Sequence, residues 1–165
     1  MAFTYNEPSI WFEYVLDTAR KIKENNLDLQ VVLVSNGYIE EKPLKELLPY
    51  VDAFNIDLKA FSNKFYQKLC RGDLESVLKT ISLVAPEKHL EITTLLISGE
   101  NDSLKEVEKI AQFIASLNKD IPLHLSRYFP NYQLKNPPTP TKFIKESLEI
   151  AQNYLNHIYL GNMSC

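Results

Sequence analysis

Short runs of β-forming residues alternate with helical patterns along this chain, and several of those runs are apolar on one face and polar on the other. A strand stump at 2–4 precedes a helix opened by Asn6-Glu7-Pro8-Ser9, with Ile10, Trp11, Tyr14, Val15 and Ile22 at helical spacing. Strands are predicted at 30–35, 53–58, 90–97, 122–128 and 158–160. Helices are predicted at 40–48, 62–69, 73–84, 103–117 and 141–155, with Gly72 ending one helix and Asp73 capping the next. Strands alternating with helices of this length indicate βαβ units and a parallel sheet, an α/β fold.

The faces narrow the architecture. One face of 53–59 carries Phe54, Ile56 and Leu58, and the other carries Asn55, Asp57 and Lys59. Leu90, Ile92 and Leu96 oppose Glu91 and Thr93, and His124 and Ser126 share a face with Tyr128. A parallel strand covered by helices on both faces reads as a continuous apolar run. A polar second face instead points to a barrel, or part of one, whose interior holds something polar. Polar clusters also follow the strands: Thr4 to Glu7, Ser35 to Gly37, Asp57 to Lys59, Ser98 to Asp102 and Ser126 to Tyr128. The carboxyl ends of parallel strands form the ligand rim of such folds, so a ligand with several charged or hydrogen-bonding groups is expected there.

Composition removes other classes. The chain has 165 residues, 45% hydrophobic and 24% charged, a globular balance with enough length for one core. A net charge of −3 argues against a nucleic-acid or anionic-membrane surface. No apolar run reaches the ~20 residues of a membrane span. Four glycines leave no glycine-rich phosphate cradle, and the 131–140 stretch is too short for a domain linker. Two cysteines, Cys70 and Cys165, exclude a disulfide framework, make a reducing cytoplasm the default, and cannot by themselves supply a three-cysteine site.

At the rim the chain resembles a known family. Ala2-Phe3-Thr4-Tyr5-Asn6-Glu7-Pro8, Ser35-Asn36-Gly37-Tyr38 and Asn55-Ile56-Asp57-Leu58-Lys59-Ala60 resemble the middle of a radical S-adenosylmethionine (radical SAM) enzyme. So do Glu91 to Ile97 with Gly99-Glu100-Asn101-Asp102, and Leu123-His124-Leu125-Ser126-Arg127-Tyr128-Phe129-Pro130. The resemblance is to the pyruvate formate-lyase activating enzymes, in the AmmeMemoRadiSam branch. It implies a partial (β/α)₆ TIM-like barrel, with S-adenosylmethionine and a [4Fe-4S] cluster held on a Cys-x3-Cys-x2-Cys loop. It implies reductive cleavage of SAM to a 5′-deoxyadenosyl radical and hydrogen abstraction from a protein or small substrate. Implied partners are a protein substrate such as a glycyl-radical enzyme and an electron donor of flavodoxin or ferredoxin type, with no nucleic acid and no membrane.

This sequence departs from that pattern because the cluster loop is absent. The expectation is one partial-barrel domain over 1–165, an internal fragment lacking the first strand and the cluster ligands. The longer parent is then the radical SAM oxidoreductase, and the fragment itself is inactive and holds no metal. The open sheet edges of such a fragment make an edge-mediated dimer an expectation. Two alternatives stand beside this one: a non-catalytic barrel that binds a small polar ligand or scaffolds a partner, and a metal-free phosphate-binding barrel enzyme.

The resemblance assigns SAM contact to Tyr5, Asn6, Glu7, Ser35, Asn36, Asp57, Lys59, Glu91, Thr93, His124, Ser126 and Arg127. Each has a plainer reading. Asn6, Glu7 and Pro8 suit a helix start, with Asn6 as cap and Glu7 on the dipole. Asp57 and Lys59 suit an ion pair between strands, and Glu91 and Thr93 a hydrogen-bond network. Asn36-Gly37 suits a turn, and His124 a packed histidine. His89 and His157 receive no role. Cys70 lies near Lys68 and Arg71, which would lower its thiol pKa, although a helix-end cysteine explains it equally. Trp11, Phe12, Tyr14, Phe61, Phe65 and Tyr66 are assigned to core and interface.

Overall fold

The computed structural model describes residues 1–163, which leaves Cys165 outside the described residues. Six strands follow one another in sheet order: β1 (Ala2–Phe3), β2 (Val32–Ser35), β3 (Ala53–Asp57), β4 (His89–Leu96), β5 (Leu123–Arg127) and β6 (Ile158–Gly161). The pairs β1–β2, β2–β3, β4–β5 and β5–β6 are parallel. The helices are α1 (Phe12–Glu24), α2 (Glu41–Leu47), α3 (Asn63–Phe65), α4 (Leu74–Val84), α5 (Leu104–Leu117) and α6 (Thr141–Gln152). None among the described residues is long and apolar enough to cross a membrane.

The chain forms two compact units. The first comprises Met1–Asp57 and Glu75–Glu91; the second comprises Leu58–Leu74 and the residues from Ile92 onward. In the first, Leu33 pairs with Phe54 and Ser35 with Ile56, so these side chains share the helix-covered face. They meet Val15 of α1, Leu44 and Leu47 of α2 and Thr80 of α4 around a largely apolar hollow. Phe54, Ile56 and Leu58 are all buried, as the alternation required.

The start of α1 corrects one expectation. Ile10, Trp11 and Tyr14 are exposed at 74%, 62% and 63%, while Val15, Leu16, Ala19 and Ile22 form the buried stripe. Residues Pro8–Trp11 make a 3₁₀ turn before α1, and three residues per turn shift Trp11 out of phase with that stripe. Tyr14 falls on its flank, edge-on to Phe3 at 6.4 Å. Phe65 and Tyr66, by contrast, are buried as expected.

In the second unit, Ile92, Thr94, Leu96, Leu123 and Leu125 are buried with Val107, Ile110, Ala111 and Ile114 of α5 and Ile144 and Ala151 of α6. Each such large apolar side chain contributes roughly 1.5–3 kcal/mol on burial. Thr94 sits on this apolar face because its hydroxyl donates to Leu58 O at 2.7 Å. The segment after α3 widens into a π-turn, Tyr66–Cys70, so that the Arg71 N–H reaches Tyr66 O. Arg71, with φ +54, is therefore the left-handed residue that ends this helix; Gly72 follows it.

Candidate functional site

Glu7 organises the corner after β1. It is the N-cap of the Pro8–Trp11 turn, in place of Asn6, because its longer side chain folds back so that Oε1 accepts from Ser9 N at 3.1 Å. The same oxygen accepts from the Ser35 hydroxyl at 2.7 Å, and Oε2 accepts from Asn36 N at 2.7 Å. Both carboxylate oxygens are thus used within the chain, across 28 and 29 positions of sequence. Ser35 Oγ also accepts from Gly37 N, and Asn36 Oδ1 accepts from Tyr38 N, closing the turn that Gly37 makes at φ +71. Tyr5 and Asn6 are exposed and make no hydrogen bond within the described chain. The peptide between them is cis. Asn55 and Asp57 are half-buried on the polar face of β3.

The second unit presents its polar face as two rows. Thr93 of β4 is level with His124 of β5, which is level with Tyr159 of β6. One step toward the carboxyl rim, Leu95 is level with Ser126 and Ser126 with Gly161. The His124 and Tyr159 rings are stacked, 5.2 Å apart and inclined by 24°. The Ser126 hydroxyl makes no hydrogen bond within the described chain. A Cβ on Gly161 would lie 2.6 Å from Ser126 Oγ, so a side chain at 161 would occupy the space the hydroxyl faces. Lys59, half-buried, donates its backbone N–H to the Tyr66 hydroxyl, while its carbonyl accepts from Asn101 Nδ2.

Other rim residues act as fasteners. Buried Asn101 accepts from Ile97 N and donates to the carbonyls of Lys59 and Leu95. The 129–140 segment is tied down by Thr139, whose hydroxyl donates to Leu96 O and accepts from Tyr128 N. Tyr128 is consequently buried, with its hydroxyl on Leu134 O. Arg127 lies one residue out of step with His124 and Ser126. Its Nε donates to Thr139 O at 2.6 Å, and its guanidinium lies 4.7 Å from the Phe129 ring centre. Glu91 lies at the opposite end of β4, 3.2 Å from His89 Nε2. Among the fully buried side-chain polar atoms of the described residues, the Ser98 hydroxyl alone lacks a partner.

Of the sequence-derived candidates, Glu7, Ser35 and Asn36 are joined in one cluster, and Thr93, His124 and Ser126 lie on one face of adjoining strands. Tyr159, Gly161 and Thr139 were not singled out in the sequence, and their positions became visible only through strand register. Cys70 has an elevated thiol pKa, because burial outweighs the opposing charge of Lys59. Of the two cations expected to lower it, Lys68 and Arg71, the first is paired with Glu100 at 2.7 Å.

Comparison with known proteins adds four similarities. The family model described as "Radical SAM superfamily" matches residues 1–114. The uncharacterized protein MJ0808 of Methanocaldococcus jannaschii is 38% identical over 171 aligned residues, covering 99% of this chain and 49% of that protein. The (2S)-3-sulfopropanediol dehydratase activating enzyme of Klebsiella oxytoca is 26% identical over 109 residues, covering 66% of this chain and 34% of that protein. The chain thus spans at most about half the length of the curated relatives it matches. Among solved structures, a domain of pyruvate-formate lyase-activating enzyme from Bacteroides vulgatus superposes with a TM-score of 0.82 at 21% identity. That match covers 98% of each chain and carries the parallel α/β partial-barrel fold.

Proposed function

Because this chain belongs to the radical SAM superfamily, we propose that it is the SAM-binding part of a longer radical enzyme of the activating-enzyme type. One observation carries the reading: a strand face of the second unit gathers Thr93, His124 and Ser126, and the Ser126 hydroxyl is left unpartnered beside Gly161. A half-buried hydroxyl with no partner in the chain is open to water or to a ligand group. SAM brings an ammonium, a carboxylate, a sulfonium and ribose hydroxyls. In the second unit the ammonium of Lys59, the hydroxyls of Thr93 and Ser126 and the imidazole of His124 match that chemistry. For the first unit, taken by itself, the family resemblance supports SAM contact through the Asp57 carboxylate and the Tyr5 and Asn6 backbone carbonyls. Glu7, with Ser35 and Asn36, acts one step back by fixing the segment that carries them. Glu91, at the opposite end of β4 beside His89, and Arg127, out of step with Ser126 and bonded to Thr139 O, are left outside this reading.

The cluster is a different matter. The chain contains two cysteines, and no group of three His, Cys, Asp or Glu residues gathers to hold a metal among the described residues. Its residues therefore do not fit a [4Fe-4S] cluster, and we assign the three cysteine ligands to sequence outside this chain. With such a cluster the family chemistry yields a 5′-deoxyadenosyl radical; we propose a glycine Cα of a protein partner as its hydrogen donor, with a flavodoxin- or ferredoxin-type reductant in the cytoplasm. In keeping with this division, the chain as a single partial-barrel domain is proposed to bind SAM and to lack activity by itself.

Calorimetric titration of the chain with SAM tests the binding role. Saturable binding weaker than micromolar is expected, since the iron that would anchor the methionine end is not provided. Absence of binding at millimolar SAM overturns the role, and micromolar or tighter binding overturns the need for that anchor.

A further inference from the structure

The last strand offers more than the closing strand of a sheet. An edge strand of only four residues is prone to slip, and a slip of one residue would exchange its two faces. Here β6 is fixed at both ends. Before it, Asn156 N–H donates to Lys119 O at 3.0 Å and Asn156 Nδ2 to Asp120 Oδ1 at 2.6 Å. After it, Asn162, in the left-handed conformation at φ +58, donates from Nδ2 to Arg127 O at 3.1 Å. Between these fastenings the register sets Tyr159 against His124 and Gly161 against Ser126.

Neither residue is explained by packing. Tyr159 is 53% exposed, so burial gives little reason for an aromatic ring there, yet the ring lies flat against the imidazole. Glycine weakens a strand, and Gly161 has a φ outside the left-handed region, so conformation does not demand it either. What position 161 does require is the absence of a Cβ that would meet the Ser126 hydroxyl.

We infer that β6 is a positioning strand for the ligand face: Tyr159 sets the plane of the His124 imidazole by stacking, and Gly161 keeps the Ser126 hydroxyl reachable. Tyr159 acts through His124 and Gly161 through Ser126. The inference rests on the reading that this face meets SAM.

Two readouts on the full 165-residue chain test it. The first needs no ligand: in carbon-13-labelled protein, the His124 ring protons carry a ring-current shift from Tyr159. Tyr159→Phe keeps that shift and Tyr159→Leu abolishes it; equal spectra for the two variants overturn the role of Tyr159. The second is SAM affinity by calorimetry. Tyr159→Leu raises Kd about fivefold and Tyr159→Phe less than twofold, the range expected for one aromatic stack. Gly161→Ala weakens binding as Ser126→Ala does, and the double variant is no weaker than either alone. Additive losses overturn the link between Gly161 and Ser126. If the unaltered chain does not bind SAM, the binding role fails and Gly161 loses its function with it, while the His124 ring spectrum still decides Tyr159. Amide spectra matching the parent establish that each variant is folded.

Discussion

Glu7 and Ser126 stand beyond or near the carboxyl ends of parallel strands, in different units, and use their polar groups in opposite ways. The Glu7 carboxylate accepts three hydrogen bonds and has both oxygens committed within the chain. The Ser126 hydroxyl has none. The same contrast runs through the edges: β1 is two residues long and flanked by exposed Tyr5, Ile10, Trp11 and Tyr14, whereas β6 is fastened on both sides by asparagine amides. A polar residue at a strand end is therefore no guide by itself to ligand contact. A saturated group builds the rim, and an unsatisfied one is available to what the rim holds.

The largest expected effect falls on the saturated group. Glu7→Ala removes three hydrogen bonds to a charge and leaves Asn36 N–H and the Ser35 hydroxyl to find new partners. The expected loss is about 3 kcal/mol of unfolding free energy in urea. A loss below about 1 kcal/mol would mean the carboxylate is not a structural fastener.

The open edge comes next. We expect the chain to self-associate through β1 and the aromatic flank beside it, and Trp11→Ser to weaken that association about tenfold, as loss of an exposed aromatic anchor does. Light scattering across a dilution series reads this directly. A monomer at all concentrations contradicts the edge contact, and a dimer indifferent to Trp11→Ser moves it elsewhere.

A smaller effect is expected in acid, and in the first unit. Burial acts to raise the Asp52 pKa, but the Lys23 ammonium at 2.7 Å and the Val31 N–H outweigh it and hold the carboxyl below its ordinary value. A lowered folded-state pKa contributes stability that is present above the unfolded value, about 3.9, and is lost as pH falls through the folded value. Asp52 is about one-third exposed, which screens the pair and keeps the effect modest. The urea midpoint of the parent should fall more between about pH 5 and pH 3 than that of Asp52→Asn; equal falls contradict the assignment. Glu41, whose carboxyl Lys45 and Lys79 hold at about 2, is a second paired carboxylate of similar exposure.

The smallest stability effect belongs to Ser126. Removal of an unpartnered hydroxyl by Ser126→Ala should change unfolding free energy by less than about 0.5 kcal/mol while weakening SAM binding. A large stability loss would mean that the hydroxyl has a structural partner.

Much of this was legible from residue order. The alternation located all six strands, and period two separated Phe54, Ile56 and Leu58 from Asn55 and Asp57, because burial on one sheet face writes itself into every second residue. The Glu7 cluster was legible only in part. Glu, Ser and Asn could each be singled out, but that one carboxylate would join positions 28 and 29 residues away is a tertiary fact. Trp11 misled because a 3₁₀ turn and an α-helix share nearly the same apolar spacing over one turn, and Tyr14 because it lies on the flank of the buried stripe. Tyr159 and Gly161 were invisible because their meaning lies in register with His124 and Ser126, which no local pattern encodes.

The central claim is a division of labour: this chain supplies the SAM-binding face, and the cluster ligands come from elsewhere in a longer protein. Anaerobic incubation with SAM and a low-potential reductant, after iron–sulfur reconstitution, tests it when the chain and the longer protein are compared for 5′-deoxyadenosine. The account predicts 5′-deoxyadenosine from the longer protein and none from the chain alone. Its formation by the chain alone, or its absence from both, would contradict the account.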